Sequence, residues 1–246
     1  VVVLVLSLAF SARAAAAPAS QPSPGLTVDW RIDAPVTGGL AVALFATELE
    51  VGKLGPSRCR WCQSNAFDSA ARDLRWGSPG AANTISDVTL FLTPALMVGL
   101  LGIDAYPAGG IRRWADDTLI AAEATALAGV LTQAVKFTSA RQRPFVRALP
   151  PAERSQTSDP ADNNVSFWSG HTSITFAVAT AAGTIATLRR YRHAPYVWAA
   201  GMALAAFTGY LRIAADKHYA TDVLTSAAVG AACGWGVSYL HYRLRW

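Results

Sequence analysis

The stretch Val88-Thr-Leu-Phe-Leu-Thr-Pro-Ala-Leu-Met-Val-Gly-Leu-Leu-Gly-Ile103 carries no charge and lacks the period-two alternation of a half-buried strand. As a helix it is close to the shortest run that crosses a hydrocarbon core of about 30 Å. Five more apolar segments flank it, at residues 37–47, 118–135, 172–188, 195–211 and 223–240. All are rich in Ala and Leu, and none alternates. The reading is an all-α fold, a six-helix bundle embedded in a membrane. Pro94 is expected to kink the segment that contains it. Trp198, Trp235, Tyr239 and Tyr242 lie towards segment ends, where interfacial aromatics sit. Spanning is expected for the last five segments and is left open for residues 37–47.

Composition agrees. The apolar set AVILMFWYC makes up 52% of the 246 residues and charged residues 15%, against about 25% charged in a soluble domain. Mean hydropathy is +0.27. A disordered chain is excluded, and an ordinary soluble enzyme fits poorly. The net charge of +5 sits in short clusters between apolar segments. That is the pattern of membrane-flanking loops, so no nucleic-acid partner is expected. Arg112 and Arg113, then Arg189, Arg190 and Arg192, then Arg243 and Arg245 fall on one face of a serpentine bundle. The positive-inside rule makes that face cytoplasmic. The opposite loops then face out of the cytoplasm.

Residues 1–19 look like a secretory signal, with an apolar run followed by a small-residue region. Cleavage between Ala17 and Ser20 is favoured over an uncleaved anchor. Residues 20–36 read as linker and 37–246 as the helical domain. A cleaved signal would leave residue 20 outside, so segment 37–47 would then enter from the wrong side if it spanned. Cys59 and Cys62 form a Cys-x-x-Cys on the outward side. A small disulfide is the first reading, free thiols the second, and a thioredoxin-like site the last, because no βαβ pattern surrounds it.

Three outward regions carry chemistry. Lys136 and Arg143 follow the third segment, Ser169, Gly170 and His171 open the fourth, and Arg212, His218 and Asp222 lie between the fifth and sixth. Lys136, Arg143 and Arg212 can grip phosphate oxygens. Ser169, Gly170 and His171 stand at a helix N-terminus, where free N–H groups face an anion and Gly permits close approach. His218 and Asp222 are four apart. A carboxylate accepting from one imidazole nitrogen would leave the other as nucleophile. His171 could protonate a leaving oxygen and later activate water. No metal or other cofactor is needed, since the cations neutralise the transferring group. Two of the chain's four histidines thus share one face, while His193 and His241 lie on the other.

The order Lys-x6-Arg-Pro, Ser-Gly-His, Arg-x5-His-x3-Asp resembles the type 2 phosphatidic acid phosphatase (PAP2) and vanadium haloperoxidase superfamily, over most of residues 85–240. The resemblance implies a PAP2-like bundle. It implies His218 as the nucleophile that forms phosphohistidine, Asp222 as its orienting partner and His171 as general acid. Lys136, Arg143, Ser169, Gly170 and Arg212 would bind phosphate, with no divalent metal. Two positions depart from the family pattern: Trp168 stands where Pro is usual, and Leu211 where Ser is usual. The leading expectation is a metal-independent phosphatase of lipid phosphate monoesters or isoprenyl diphosphates, at the periplasmic face of a bacterial-type inner membrane. A soluble periplasmic acid phosphatase, a vanadate-dependent haloperoxidase and a non-catalytic membrane scaffold are the alternatives. Two imidazoles working in opposite protonation states predict a bell-shaped pH profile.

Overall fold

The computed structural model describes residues 25–243. The signal-like run and its expected cleavage region lie outside them. Among the described residues no strand forms, and the one β-type pairing is an isolated bridge between Trp61 and Arg141. In chain order the helices are α1 (Asp33–Leu49), α2 (Val51–Leu54), α3 (Ala66–Ala71), α4 (Pro79–Ser139), α5 (Pro144–Arg147), α6 (Gly170–Leu188), α7 (Ala194–Ala214) and α8 (Ala220–Arg243). The short ones, with two 3-10 turns, build a cap at one end. The long ones build the bundle. Helix α1 starts at Asp33, inside the stretch expected to be linker.

The segments at 88–103 and 118–135 belong to one 61-residue helical element, α4. It is a hairpin rather than a rod. The Trp114 indole N–H donates to the Val98 carbonyl at 2.9 Å, although the two are 16 residues apart. In a straight helix they would stand about 24 Å apart. The turn is at Gly109 and Gly110, where φ of +67° at Gly110 lies in the left-handed region that favours glycine. The helical dihedrals break there, whereas at Pro94 they stay helical.

The bundle is apolar outside and small-residue inside. Only 28% of the most apolar window of α4 is buried, and Val88, Phe91, Leu92 and Ile103 point outward. Helices α4, α7 and α8 are long and apolar enough to cross a membrane. Helix α6 sits at the centre, packed by α4, α7 and α8. Of its 19 residues, 13 are buried, nearly all Ala, Thr, Ser, Gly or Val. A helix shielded by others needs close packing rather than lipid-facing bulk. Gly230 and Gly234 of α8 show how close the approach is. A Cβ at either would overlap backbone carbonyl oxygens of α6, at Ser173 and Ala177. Gly234→Val is therefore expected to destabilise the bundle by about 1–3 kcal/mol, read as a lowered thermal midpoint in detergent.

Helix α1 runs alongside the second arm of α4. At one end the Trp30 indole donates to Asp116 (2.7 Å). At the other, Glu48 lies 3.8 Å from Lys136. The basic-loop end of the bundle is tied by buried Asp117, which accepts from Arg189 Nε (2.9 Å) and the Tyr191 hydroxyl (2.6 Å). There too Thr27 pairs with the His241 carbonyl. Residues 25–32 thus sit at the basic-loop end and α1 traverses towards the other.

Candidate active site

Three helix ends meet opposite the basic loops: the C-terminus of α4, the N-terminus of α6, and the α7–α8 junction. Lys136 occupies the last turn of α4, which stops at Ala140 in the left-handed conformation. The chain then runs extended through Arg141 and Arg143 until Pro144 starts α5. This break turns the Lys-x6-Arg spacing into two cations approaching from different directions. Ser169 caps α6, its hydroxyl accepting from the Thr172 hydroxyl at 2.9 Å, while its own N–H donates to Ser226 (2.7 Å). Lys136 Nζ lies beside Gly170, where an added Cβ would stand 3.4 Å away. Lys136, Arg143, Ser169, Arg212, His218 and Asp222 are all buried.

His218 is the centre of the cluster. Its Nδ1 lies 2.6 Å from the Ser166 carbonyl, an atom that only accepts, so Nδ1 carries the proton. Nε2 is left with its lone pair, 3.1 Å from Arg143 Nη1. Burial, followed by repulsion from Arg143, Arg212 and Lys136, holds the imidazole well below its ordinary pKa of 6.5. The neutral, nucleophilic form is the resting form. The sign for folding follows. An unfolded chain takes up a proton as pH falls through about 6.5 and the folded chain does not, so stability is lost below that pH.

The expected His218–Asp222 hydrogen bond is corrected. Asp222 Oδ2 is 3.7 Å from Nδ1, and the Ser166 carbonyl takes that place. The reason is where α8 begins. His218 precedes its first turn, so the four-residue spacing is not helical. Asp222 instead reaches back to the Tyr219 N–H (2.9 Å), as a third-position carboxylate does in a capping box. The same oxygen accepts from the Ser166 hydroxyl (2.6 Å). Asp222 therefore acts on His218 through Ser166.

His171 Nε2 lies 2.7 Å from Asp87 Oδ1. Arg212 donates to Asn83 (2.8 Å) and Ser86 (2.7 Å) and stands 3.9 Å from Asp87. The first turns of α4 thus form a polar shelf that aims both groups. Arg143 is aimed by Asp162, through its side chain and its carbonyl, and by the Lys217 carbonyl. Burial pushes the Asp162 carboxyl up, but Arg143 and Lys217 together hold it below its ordinary value. Its charge offsets part of the cationic cluster.

Sequence reasoning missed Arg141. It is fully buried, donating to Asp68 (2.6 Å), to Asp222 and to Thr221 (2.8 Å). Its guanidinium lies between the rings of Trp61 (3.8 Å) and Tyr219 (4.2 Å). Trp61 comes from the Cys59–Cys62 loop, whose cysteines are disulfide-bonded with Cα atoms 5.4 Å apart. Asp68, Asp87, Asp162 and Ser166 were missed as well. The one legible signal was Asn83, Ser86 and Asp87, polar residues at helical spacing just before an apolar run.

The arrangement presents a neutral imidazole nitrogen to a pocket of cations beside a helix N-terminus and a second imidazole. That set suits attack on a phosphoryl group. The cluster also brings together every residue singled out from the three sequence regions, with Asp222 one hydrogen bond removed from the imidazole.

Residues 117–246 match the family model of the PAP2 superfamily. A lipid A 1-phosphatase of Porphyromonas gingivalis is 32% identical over 167 residues, which is 68% of this chain and 33% of the relative. The chain thus spans about a third of the length of that curated relative. A transmembrane PAP2-type phosphatidylglycerolphosphate phosphatase from Bacillus subtilis has a similar solved fold, with a TM-score of 0.52 and 17% identity. That match covers 87% of this chain and 97% of the other.

Proposed function

This chain belongs to the PAP2 superfamily, and on that premise we propose that it is a membrane phosphatase that removes phosphate from a lipid through a phosphohistidine. The observation that carries the reading is His218, with Nδ1 held by Ser166 and the Nε2 lone pair accepting from Arg143 Nη1, on the side of the cations. Nε2 attacks phosphorus while Lys136, Arg143 and Arg212 hold the non-bridging oxygens, together with N–H groups at the start of α6. The bond from phosphorus to the lipid oxygen breaks, and His171 gives that oxygen its proton. His171 then takes a proton from water, which breaks the phosphorus–nitrogen bond. Inorganic phosphate leaves and His218 returns to its starting form. A lipid phosphate monoester is the favoured substrate, with isoprenyl diphosphate as the next class. The apolar exterior of α4, α7 and α8 supports a lipid over a soluble phosphomonoester.

The positive-inside pattern supports an outward-facing site. Residues 25–32 would then lie at the inner face, which favours an apolar N-terminal run that is retained over one that is cleaved.

The test is phosphate release from phosphatidic acid, phosphatidylglycerol phosphate, undecaprenyl diphosphate and p-nitrophenyl phosphate, in detergent with chelator. Turnover of a lipid at least tenfold faster than of p-nitrophenyl phosphate is expected. No release from any lipid refutes the proposal. The pH profile should be bell-shaped with a displaced acid limb. Because His218 stays neutral well below 6.5 and His171 takes up its proton only below 6.5, kcat/KM is expected to rise as pH falls through 6.5 and to drop only at lower pH. The alkaline limb reports His171 losing its proton, and burial, followed by repulsion from Arg212, Lys136 and Arg143, places that loss below 6.5 as well. A profile that halves at pH 6.5 from the acid side would contradict this.

A further inference from the structure

Between α2 and α3 the chain forms no helix, and its central contact is with the extended stretch that leaves α4. The Arg60 N–H donates to the Ala140 carbonyl (3.1 Å), and the Gln142 N–H donates to the Trp61 carbonyl (3.0 Å). The loop thus grips the backbone on either side of Arg141. The Trp61 ring lies 3.8 Å from the Arg141 guanidinium and meets the Phe167 ring edge-on at 5.3 Å. Trp61 is 39% exposed and Arg141 not at all, so the indole forms a wall between that cation and water.

Both ring contacts lead to Ser166, whose carbonyl orients His218. The Ser166 N–H donates to the Arg141 carbonyl at 3.0 Å. The Ser166 hydroxyl donates to Asp222, which the Arg141 guanidinium also holds. Phe167 is the next residue in the chain. What holds Trp61 in turn is the Cys59–Cys62 disulfide, which closes a ring of four residues with Trp61 inside it. The side-chain ties of this loop are Arg147 to the Cys62 carbonyl (2.5 Å) and Arg60 to the Thr138 carbonyl (3.1 Å), both exposed. Water competes for those two bonds and not for the covalent one. A ring this short removes little entropy from the unfolded chain, so the bond acts on the loop it closes more than on overall stability. Both cysteines are half-buried, and Cys59 lines an open cavity of the cap, so a small thiol reaches the bond.

The geometry points to the Cys59–Cys62 disulfide as a redox switch on catalysis, with Trp61 as the positioning residue through which it acts. Oxidised, the loop presses Trp61 against Arg141 and Phe167 and keeps Ser166 and His218 aligned. Reduced, it releases Trp61 and turnover falls. The inference rests on the proposed phosphatase activity for the reaction that is switched. The reductant is a dithiol. One of its thiolates attacks a sulfur of the Cys59–Cys62 bond, forming a mixed disulfide and freeing the other cysteine. The second thiolate then displaces the remaining cysteine. Two electrons pass to the protein, the two protons of the dithiol end on the cysteine sulfurs, and the dithiol leaves as a disulfide.

The experiment compares the wild-type full chain in detergent when oxidised, when reduced with dithiothreitol, and when reoxidised with oxidised glutathione. Cys59→Ser/Cys62→Ser, Trp61→Ala and Trp61→Phe are measured beside it. Reduction is expected to lower kcat on phosphatidic acid about tenfold and to change KM by less than about twofold. The thermal midpoint should move by no more than about 2 °C, and reoxidation should restore kcat. The cysteine double variant should have the low kcat and ignore dithiothreitol, which separates this loop from the buried thiol of Cys233. Trp61→Ala should match the reduced enzyme, and Trp61→Phe, which keeps a ring, should recover most of the kcat that Trp61→Ala loses. Amide hydrogen exchange at Gln142 and Ser166 should quicken on reduction. An unchanged kcat after reduction overturns the proposal. So does an equal fall in the cysteine double variant treated with dithiothreitol, or a fall that comes with a collapsed midpoint. If the oxidised protein hydrolyses no lipid, the proposed function fails and exchange alone decides the coupling. Faster exchange at Gln142 and Ser166 on reduction leaves the coupling standing, and unchanged exchange overturns it too.

Discussion

His218→Ala is expected to lower kcat/KM on a lipid phosphate by about three orders of magnitude or more while leaving the thermal midpoint close to wild type. The loss is large because, in the proposed mechanism, the group removed forms the new bond to phosphorus, and nothing nearby can replace it. His171 is held by Asp87 on a different element. The fold should survive, because His218 has low native-state demand for charge: burial among three cations keeps it neutral. Removing the ring forfeits two hydrogen bonds, one to Ser166 and one from Arg143, each worth about 1 kcal/mol. Turnover of a 32P-labelled lipid, quenched in alkaline detergent, checks the chemistry directly. Wild type should trap an acid-labile, base-stable phosphoprotein, and His218→Ala should not. A variant that keeps a tenth of wild-type activity would remove His218 from the mechanism.

Arg141→Met is expected to be as damaging for a different reason. Arg141, Asp68 and Asp222 are all buried, at 0%, 1% and 0% exposure. Removing the cation leaves two carboxylates without their shared partner, which is worth about 3–5 kcal/mol. Asp222 would then lose what holds it against Ser166, and Ser166 orients His218. Arg141 is a positioning residue, not one that touches substrate. Its loss should appear as a fall in kcat with a smaller change in KM, alongside the lowered midpoint. Arg141→Lys restores the charge without the fork that spans Asp68 and Asp222, so it should recover stability partly and kcat only in part. Asp68→Asn in the Arg141→Met background removes one stranded charge and should recover part of the lost stability. Unchanged kcat in a folded Arg141→Met protein would show that Asp222 needs no such support.

Much of the site was legible in the chain because phosphoryl transfer demands particular side chains in a particular order. Lys136, Arg143, Ser169, Gly170, His171, Arg212 and His218 lie at helix ends that a serpentine bundle must bring to one face. What supports them was not legible. Asp68 and Trp61 come from a cap with no periodic signal, and they meet Arg141 from about 70 to 80 residues away in sequence. Short polar loops leave no pattern from which such a meeting can be read. Asp222 shows the opposite failure. Its spacing from His218 suggested a helical pair, but spacing has meaning only where the helix exists, and α8 begins after His218.

Helical content, the number of long segments and their membrane character were set by the sequence itself, since these depend on local composition and length. Which helix sits at the centre was not, because segment 172–188 reads much like its neighbours, and only the packing of α4, α7 and α8 around it shields it from lipid. The hairpin at Gly109–Gly110, the side from which α1 enters, and the exchange of Asp222 for a Ser166 carbonyl at the imidazole were decided by the tertiary structure. Each depends on contacts between distant stretches, and such contacts arise only when packing and hydrogen-bond satisfaction are resolved for the whole bundle at once.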